Sequence, residues 1–388
     1  MNYGLLVATL SHTLTHIFEG IHTSIFSLLR EEFSLSLQQL GLIAAIPPLC
    51  QSILSIPTGI LADRYGSKRM LLLSAVVGTV GALLASQASG PVAFIVAVSL
   101  VYINTTIYHP ASYSFTTKMF APRDRPKALG LHGAGGTLGH ASGPLAVSIL
   151  IGVLAFKWRQ VYLLLTLPMV AGIVMILFLK DEPVEDVEEA EESTSNGDQG
   201  MRSLFTANLV SFLGFSGLRM IGVSMINTFI VLYLQDVRHL SLAFASFISS
   251  GTMLTGFISA PLGGVMASRF GEKRWLVSAQ ALSYICLALS LAVPDITWFA
   301  VLFITYGFCN TLSMAARNSM MATLSPSSQR GLGFALLFLP GSIMGAVAPV
   351  LAGYMAAAFG FNSIFYAALL IYVVGLAVLV FAVKVKDS

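Results

Sequence analysis

The chain has 388 residues, of which 56% are hydrophobic and only 10% charged, with a formal net charge of +3. Soluble domains carry about 25% charged residues, so the composition excludes a soluble globular enzyme and makes lipid the solvent for most of the chain. The charge balance is too small to imply nucleic acid or acidic partners, and its distribution carries more information than its sum.

A span needs roughly 20 apolar residues to cross the hydrocarbon core, and such stretches recur along the whole sequence. Twelve are expected, near 4–30, 36–60, 69–89, 91–117, 126–152, 158–179, 203–234, 239–265, 274–293, 296–322, 331–358 and 361–383. Runs this long are helical, since a half-buried strand alternates over 4–8 residues. The fold class is therefore an all-α membrane protein of twelve transmembrane helices in two pseudo-symmetric six-helix bundles.

The first span is polar for its position. No basic segment precedes it, and His12, His16, Glu19 and His22 interrupt its apolar run, so it reads as a retained span and not as a signal peptide. Helical geometry puts His12, His16 and Glu19 within about 60° of one another on one face. Glu19 is the only Asp or Glu in the middle of a span. Charged groups in hydrocarbon cost roughly 2.5–3.5 kcal/mol each on insertion scales, so retained ones are functional candidates. The histidines suit proton relay or metal ligation, and hydrogen-bonded cavity histidines account for the same pattern; no resident metal or cofactor is expected.

Between the second and third spans lies Gly59-Ile-Leu-Ala-Asp63-Arg64-Tyr-Gly66-Ser-Lys68-Arg69. Its glycines suit close approach of helix ends, Asp63 can cap or pair at a helix N-terminus, and its basic residues hold the cytoplasmic face. In the fourth span Asn104, Tyr108, His109 and Ser112 surround Pro110, where a proline frees a backbone carbonyl for cavity water or substrate. The fifth span carries Gly130, Gly133, Gly135, Gly136, Gly139 and Gly143-Pro144. Gly135, Gly139 and Gly143 fall at i, i+4, i+8 and form a smooth ridge for backbone-to-backbone packing. His132 and His140 on the same helix read as packing-side polar contacts.

The segment DEPVEDVEEAEESTSNGDQGM between Lys180 and Arg202 is rich in acidic and small polar residues. It cannot bury a core and reads as a solvated tether. It divides the chain into a bundle at 1–180, a linker at 181–202 and a second bundle at 203–388. The second bundle repeats the first: Gly264-Val-Met-Ala-Ser268-Arg269-Phe-Gly271-Glu-Lys273-Arg274 answers Gly59 to Arg69, and Pro326, Gly341, Gly345 and Pro349 echo Pro122, Gly135, Gly139 and Pro144. Ser268 replaces the acid of the first copy. Parallel repeats on an even span count describe bundles related by an axis along the membrane normal, able to rock against each other.

In the second half the seventh span holds Arg219 and Asn227 and the tenth holds Asn310, Arg317 and Asn318. Arg219 and Arg317 are the only Lys or Arg in the middle of spans. Arg317 lies about 20 residues along its helix, near one end, where its long side chain suits either snorkelling or substrate contact. The third, sixth, ninth and twelfth spans are almost wholly apolar, Gln280 excepted. The cysteines Cys50, Cys286 and Cys309 stand alone in apolar runs without a CxxC spacing.

With both termini placed in the cytoplasm, the inner loops and tail hold Arg64, Lys68, Arg69, Lys118, Arg123, Arg125, Lys127, Lys180, Arg202, Arg269, Lys273, Arg274, Arg330, Lys384 and Lys386. The outer loops hold only Arg30, Lys157, Arg159 and Arg238. This satisfies the positive-inside rule.

The segment Gly59 to Arg69 resembles the signature loop of the major facilitator superfamily, G-x-L-x-D-R-x-G-x-[RK]-[RK]. The fifth-span ridge resembles that superfamily's antiporter motif, with Leu145-Ala-Val-Ser148 in place of the closing glycines. A narrower resemblance is to the fosmidomycin-resistance branch. It is carried by Ser11-His12, Glu32-Phe33-Ser34-Leu35, Tyr108-His109-Pro110-Ala111-Ser112, and Gly135-Gly136-Thr-Leu-Gly139 with Gly143-Pro144-Leu145; Ala111 stands where the branch has an acid.

The resemblance implies the major facilitator fold, a central cavity lined by the first, fourth, seventh and tenth helices, and proton-driven export of a small anionic or amphiphilic compound. Import of organic anions, transport of a metal ion by the His/Glu stripe, and a ligand-sensing receptor remain alternatives. An enzyme is not expected, for no HExxH, GxSxG or phosphate-cradling loop occurs. The expected roles follow. Glu19, His16 and Arg219 couple protons, a substrate anion competing with Glu19 for Arg219. His12, His22, Asn104, Tyr108, His109, Asn227, Asn310 and Arg317 contact substrate. Gly59, Asp63, Arg64, Gly66, Lys68 and Arg69 form the gating loop, and Gly135, Gly139, Gly143 and Pro144 pack helices. The expected partners are a small-molecule substrate, protons and the bilayer of a bacterial or archaeal plasma membrane, with the protein acting as a monomer.

Overall fold

The computed structural model describes residues 3–121, 124–179, 206–324 and 330–384, and within them all side chains except those of residues 56, 63, 126, 322 and 330–342. The linker at 181–202, Pro122, Pro326 and the Asp63 side chain lie outside the described residues. Among the described residues, ten helices are long and apolar enough to cross a membrane. The eleventh span is the helix Arg330–Phe359, of which Ile343–Phe359 forms a shorter apolar stretch.

The first span, expected as one helix, is broken. It runs as Tyr3–Ile17, Ile21–Ser24 and Phe26–Phe33, with a turn at Phe18–Gly20 in which the Glu19 N–H bonds the His16 carbonyl at 3.2 Å. The break falls on the polar stripe for a physical reason. Gly20 lies against Pro144 and the His140 carbonyl, where a Cβ would come within 2.6 and 3.0 Å. Non-helical backbone at membrane depth persists only where protein or a wet cavity surrounds it. The tenth span is broken likewise, into Ile296–Leu312 and Met314–Leu324, just before Arg317. The fifth passes from an α-helix at Arg125–Ala146 into a π-helix at Val147–Val153, beyond Pro144.

The repeated loop is legible in the backbone. Gly66 (φ 78°) separates the helices Leu37–Tyr65 and Ser67–Ser86, and Gly271 (φ 87°) separates Gly256–Phe270 and Glu272–Ala292. Both angles lie in the left-handed region that favours glycine. Gly59, expected to permit close approach, has nothing within 4 Å of its Cβ position. In this loop the glycine requirement is therefore set by the corner and not by packing.

By contacts the chain forms two compact units. The first is Met1–Glu182 with Met225–Leu254 and Ala346–Ser363, and the second is Pro183–Ser224, Thr255–Gly345 and Ile364–Ser388. The first unit thus joins the first six spans to segments of the seventh, eighth and eleventh. Small residues make the junction. A Cβ on Gly41 would meet the Pro349 carbonyl at 2.5 Å, one on Gly353 the Leu37 carbonyl at 2.5 Å, and one on Gly152 the Ala243 Cβ at 2.4 Å. Ser250 donates to the Ala141 carbonyl at 2.8 Å, and Phe26 packs on Phe229 with ring centres 6.0 Å apart.

Charge closes the same end of this unit. Arg30 grips Asp236 with two hydrogen bonds, of 2.5 and 2.9 Å. Glu32 accepts from Arg159 at 2.6 Å and from the Trp158 indole at 2.7 Å, while the Arg159 guanidinium lies over the Trp158 ring at 4.2 Å. The Arg30 and Asp236 side chains are 33% and 24% exposed, so solvent screens the pair. A double-mutant cycle on Arg30→Ala and Asp236→Ala, read by thermal unfolding, is expected to give a coupling of about 1 kcal/mol that shrinks at high salt. An uncoupled pair of substitutions counts against the contact.

Candidate functional site

In the first unit the fifth span lies directly on the first. A Cβ at Gly135 would come within 2.4 Å of the Thr9 carbonyl, at Gly139 within 2.4 Å of the Thr13 carbonyl, and at Gly143 within 2.5 Å of the Ile17 carbonyl. Thr13 donates to the Gly135 carbonyl at 2.9 Å. The glycines line this contact, and the close approach brings the polar stripe of the first span under the histidines of the fifth.

Those side chains form one cluster. His12 Nδ1 bonds the His132 carbonyl at 2.7 Å, and its ring stacks on that of His132 with centres 4.2 Å apart. Gly136 leaves room for the His12 ring, whose Nε2 would stand 2.7 Å from a Cβ there. His16 Nδ1 bonds Glu19 Oε2 at 2.8 Å, and His140 Nδ1 lies 3.6 Å from the same oxygen. Thr105 on the fourth span donates to Glu19 Oε1 at 2.6 Å. Glu19 therefore sits in a cage of one hydroxyl and two imidazoles, with its side chain 9% exposed. His109 closes the cluster, its ring centre 5.2 Å from both His12 and His16. Tyr108 donates to the Ala8 carbonyl at 2.6 Å and meets Ser11 at 3.1 Å, tying the fourth span to the first.

A second polar site lies in the second unit. Arg219, only 8% exposed, donates to Asn310 Oδ1 at 2.8 Å, while its Nε is buried without a partner. The Arg317 Nε is likewise buried without a partner, and the two guanidiniums lie within electrostatic reach of each other and of Tyr284. Gln280 Nε2 reaches Ser313 and, at 3.4 Å, Asn310. Tyr306 and Tyr372 share a hydrogen bond of 2.9 Å, and Tyr284 stacks on Tyr372 with ring centres 4.4 Å apart. The carboxylates among the described residues of this unit are Glu272, bonded by Ser319 and Thr323, and Asp295, which caps the helix Ile296–Leu312. Neither faces the arginines. Two cations, Arg219 buried and Arg317 half-buried, with tyrosine walls and no carboxylate beside them among the described residues make a site suited to an anion.

Of the residues proposed from the sequence, the structure brings together His12, His16, Glu19, Tyr108 and His109 in the first unit and Arg219, Asn310 and Arg317 in the second. Others lie elsewhere. Asn104 is fully buried against Gly78, with neither side-chain polar atom partnered. His22 is buried and faces Tyr102 and Phe26. Asn227 belongs to the first unit and is exposed there. Sequence reasoning missed Thr105 and the three tyrosines, and gave His132 and His140 only a packing role. A signal for the last two was present, because six of the seven histidines fall within the first 140 residues.

A family model described as Major Facilitator Superfamily matches residues 8–243 and 212–388. The chain belongs to this superfamily. It is a membrane transporter and not an enzyme, and its fold is the twelve-helix major facilitator fold. It is 23% identical to the fosmidomycin resistance protein of Escherichia coli K12 over 91% of this chain and 87% of that one. It is 25% identical to the hexuronate transporter of Bacillus subtilis 168 over 63% of this chain and 59% of that one. A bacterial homologue of the human lysosomal transporter Spinster, solved inward-facing and occupied, superposes with a TM-score of 0.83 at 16% identity, covering 98% of this chain and 96% of that one. At that identity the likeness speaks for the fold alone.

Proposed function

We propose that this major facilitator protein is a proton-coupled exporter of a small organic anion, working as a monomer by alternating access in a bacterial or archaeal plasma membrane with both termini in the cytoplasm. The observation that carries the reading is the pair Arg219, buried, and Arg317, half-buried, each with a buried, unpartnered Nε and with no carboxylate beside them among the described residues of their unit. An uncompensated buried guanidinium costs several kcal/mol, and an anionic cargo supplies the missing charge. Glu19, the single mid-span carboxylate, takes the coupling proton; Thr105 and His16, hydrogen-bonded to it, and His140, 3.6 Å away, provide the route. Among the relatives, the name of the hexuronate transporter is that of a small organic anion, which agrees with the charge of the site.

The test is flux in liposomes holding purified protein, with a lumenal pH dye and a panel of organic anions and cations. Anion-dependent proton movement is expected. Arg219→Gln should raise the anion concentration for half-maximal flux at least about 10-fold, the loss of one charge-assisted hydrogen bond of roughly 1.5–3 kcal/mol. Transport of cations alone, untouched by Arg219→Gln, would remove this reading.

A further inference from the structure

The ring cluster of the first unit has a geometry that its hydrogen bonds do not require. His12, His16 and His109 form a nearly equilateral triangle, with ring centres 5.0, 5.2 and 5.2 Å apart. One ligand nitrogen from each lies within 4.8 Å of the others. Three imidazoles bound tetrahedrally at about 2.0–2.1 Å from a metal place their ring centres about 5 Å apart. The donor nitrogens then stand about 3.4 Å apart, so small side-chain rotations close the shell.

The outer nitrogens are held as ligands of a metal hold them. A metal-bound histidine nearly always donates its other N–H to a carboxylate or a backbone carbonyl, which fixes the tautomer and aims the free nitrogen. His12 spends Nδ1 on the His132 carbonyl, and His16 spends Nδ1 on Glu19. Each therefore keeps Nε2 as a lone-pair donor. Glu19 is in turn fixed by Thr105, completing a hydroxyl–carboxylate–imidazole chain behind His16. His109 keeps a buried Nδ1 with no partner at all. Mutual hydrogen bonding of the rings would not leave that nitrogen idle.

We propose that His12, His16 and His109 bind a divalent transition cation of the Zn2+ class, with Glu19 and the His132 carbonyl as the outer partners that orient the rings. Imidazole donors with a neighbouring carboxylate suit Zn2+, Co2+ and Ni2+ and disfavour Mg2+ and Ca2+, which take oxygen. A triangle of three leaves the fourth coordination position open. The site shares His16 and Glu19 with the proton route assigned above and uses none of the anion-binding residues Arg219, Asn310 and Arg317.

The experiment is Co2+ titration of tag-free, purified full-length protein, followed by the visible absorption of four-coordinate Co2+, with displacement by Zn2+ as the second readout. Saturation at one Co2+ per chain is expected, with no response to Mg2+. His109→Gln and His12→Ala should abolish the spectrum, and His239→Ala, in a remote loop, should leave it intact. Glu19→Gln should keep the spectrum but weaken affinity about 10–100-fold, the usual loss for an outer partner. Size-exclusion profiles and thermal unfolding without metal establish that each variant is folded. Zn2+ should raise the unfolding temperature of the parent protein but not of His109→Gln.

Two results would overturn the assignment. One is Co2+ binding by the parent no stronger than by the folded variant lacking all three rings. The other is binding that survives His12→Ala and His109→Gln yet vanishes in Glu19→Gln, which would move the cation to His16, Glu19 and His140. Proton-coupled flux in a protein that binds no metal would refute this inference and leave the proposed function standing.

Discussion

Replacing Glu19 by Gln should abolish proton-driven accumulation while preserving exchange of substrate down its own gradient. Each coupling proton contributes about 2.3 kcal/mol per 100 mV, enough to sustain a concentration ratio of about 50-fold. Gln keeps the size of the side chain and an acceptor for Thr105 Oγ1, now 2.6 Å from Glu19 Oε1, but cannot bind and release a proton. The expected signature is a split: counterflow of labelled substrate continues, while a pH step no longer drives uptake into inside-out vesicles. Loss of both activities would indicate a structural role, and full retention of pH-driven accumulation would place the coupling group elsewhere. His140→Ala, which removes a neighbour 3.6 Å from the carboxylate, is a useful companion because it leaves the acid in place.

The second large effect is expected at Gly139. A Cβ there would lie 2.4 Å from the Thr13 carbonyl and 2.8 Å from the His16 Cβ, and neither atom is the end of a flexible side chain. Gly139→Leu must part the first and fifth spans or break the helix, at a cost of about 3 kcal/mol or more. Thermal unfolding in detergent should show a large fall in midpoint, and the yield of monodisperse protein should drop. Gly133, on the same helix with nothing within 4 Å of its Cβ position, provides the control. Gly133→Ala should be neutral or mildly stabilising, within about 1 kcal/mol, since alanine favours the helix. Equal damage from the two substitutions would mean that the ridge does not set the packing.

Together these outcomes separate two roles of one helix pair. The ridge positions the first span, and the position of the first span creates the environment of Glu19. Gly20 completes the arrangement from the other side, because its lack of a Cβ lets Pro144 and the His140 carbonyl approach the turn that carries the carboxylate. The histidine cluster and the glycine ridge are therefore two consequences of a single close helix contact.

Much of this was legible in the residues themselves. The spans followed from the length of the apolar runs, and the repeat from Gly59–Arg69 and Gly264–Arg274, whose shared corner reappears as positive φ at Gly66 and Gly271. The ridge followed from the spacing of Gly135, Gly139 and Gly143. Such features are local, and helical periodicity or the ban on charge in hydrocarbon fixes them within one or two turns of chain. Glu19, Arg219 and Arg317 stood out by the same rule, because an ion in a span is expensive wherever the helix is packed.

The tertiary structure alone decided which helices face each other. The ring triangle draws His12 and His16 from the first span and His109 from the fourth, and residues a hundred positions apart meet only after packing. Periodicity placed Asn104 near His109, yet Asn104 turns towards Gly78 of the third span. The loop motif suggested a close approach of helix ends at Gly59, where the space proved open, and nothing in the sequence signalled that the first span would break at its own carboxylate. The physical reason is common to these cases. A helix face is determined by the sequence of that helix, whereas the partner of the face and the strain needed to reach it depend on the backbone of the neighbour.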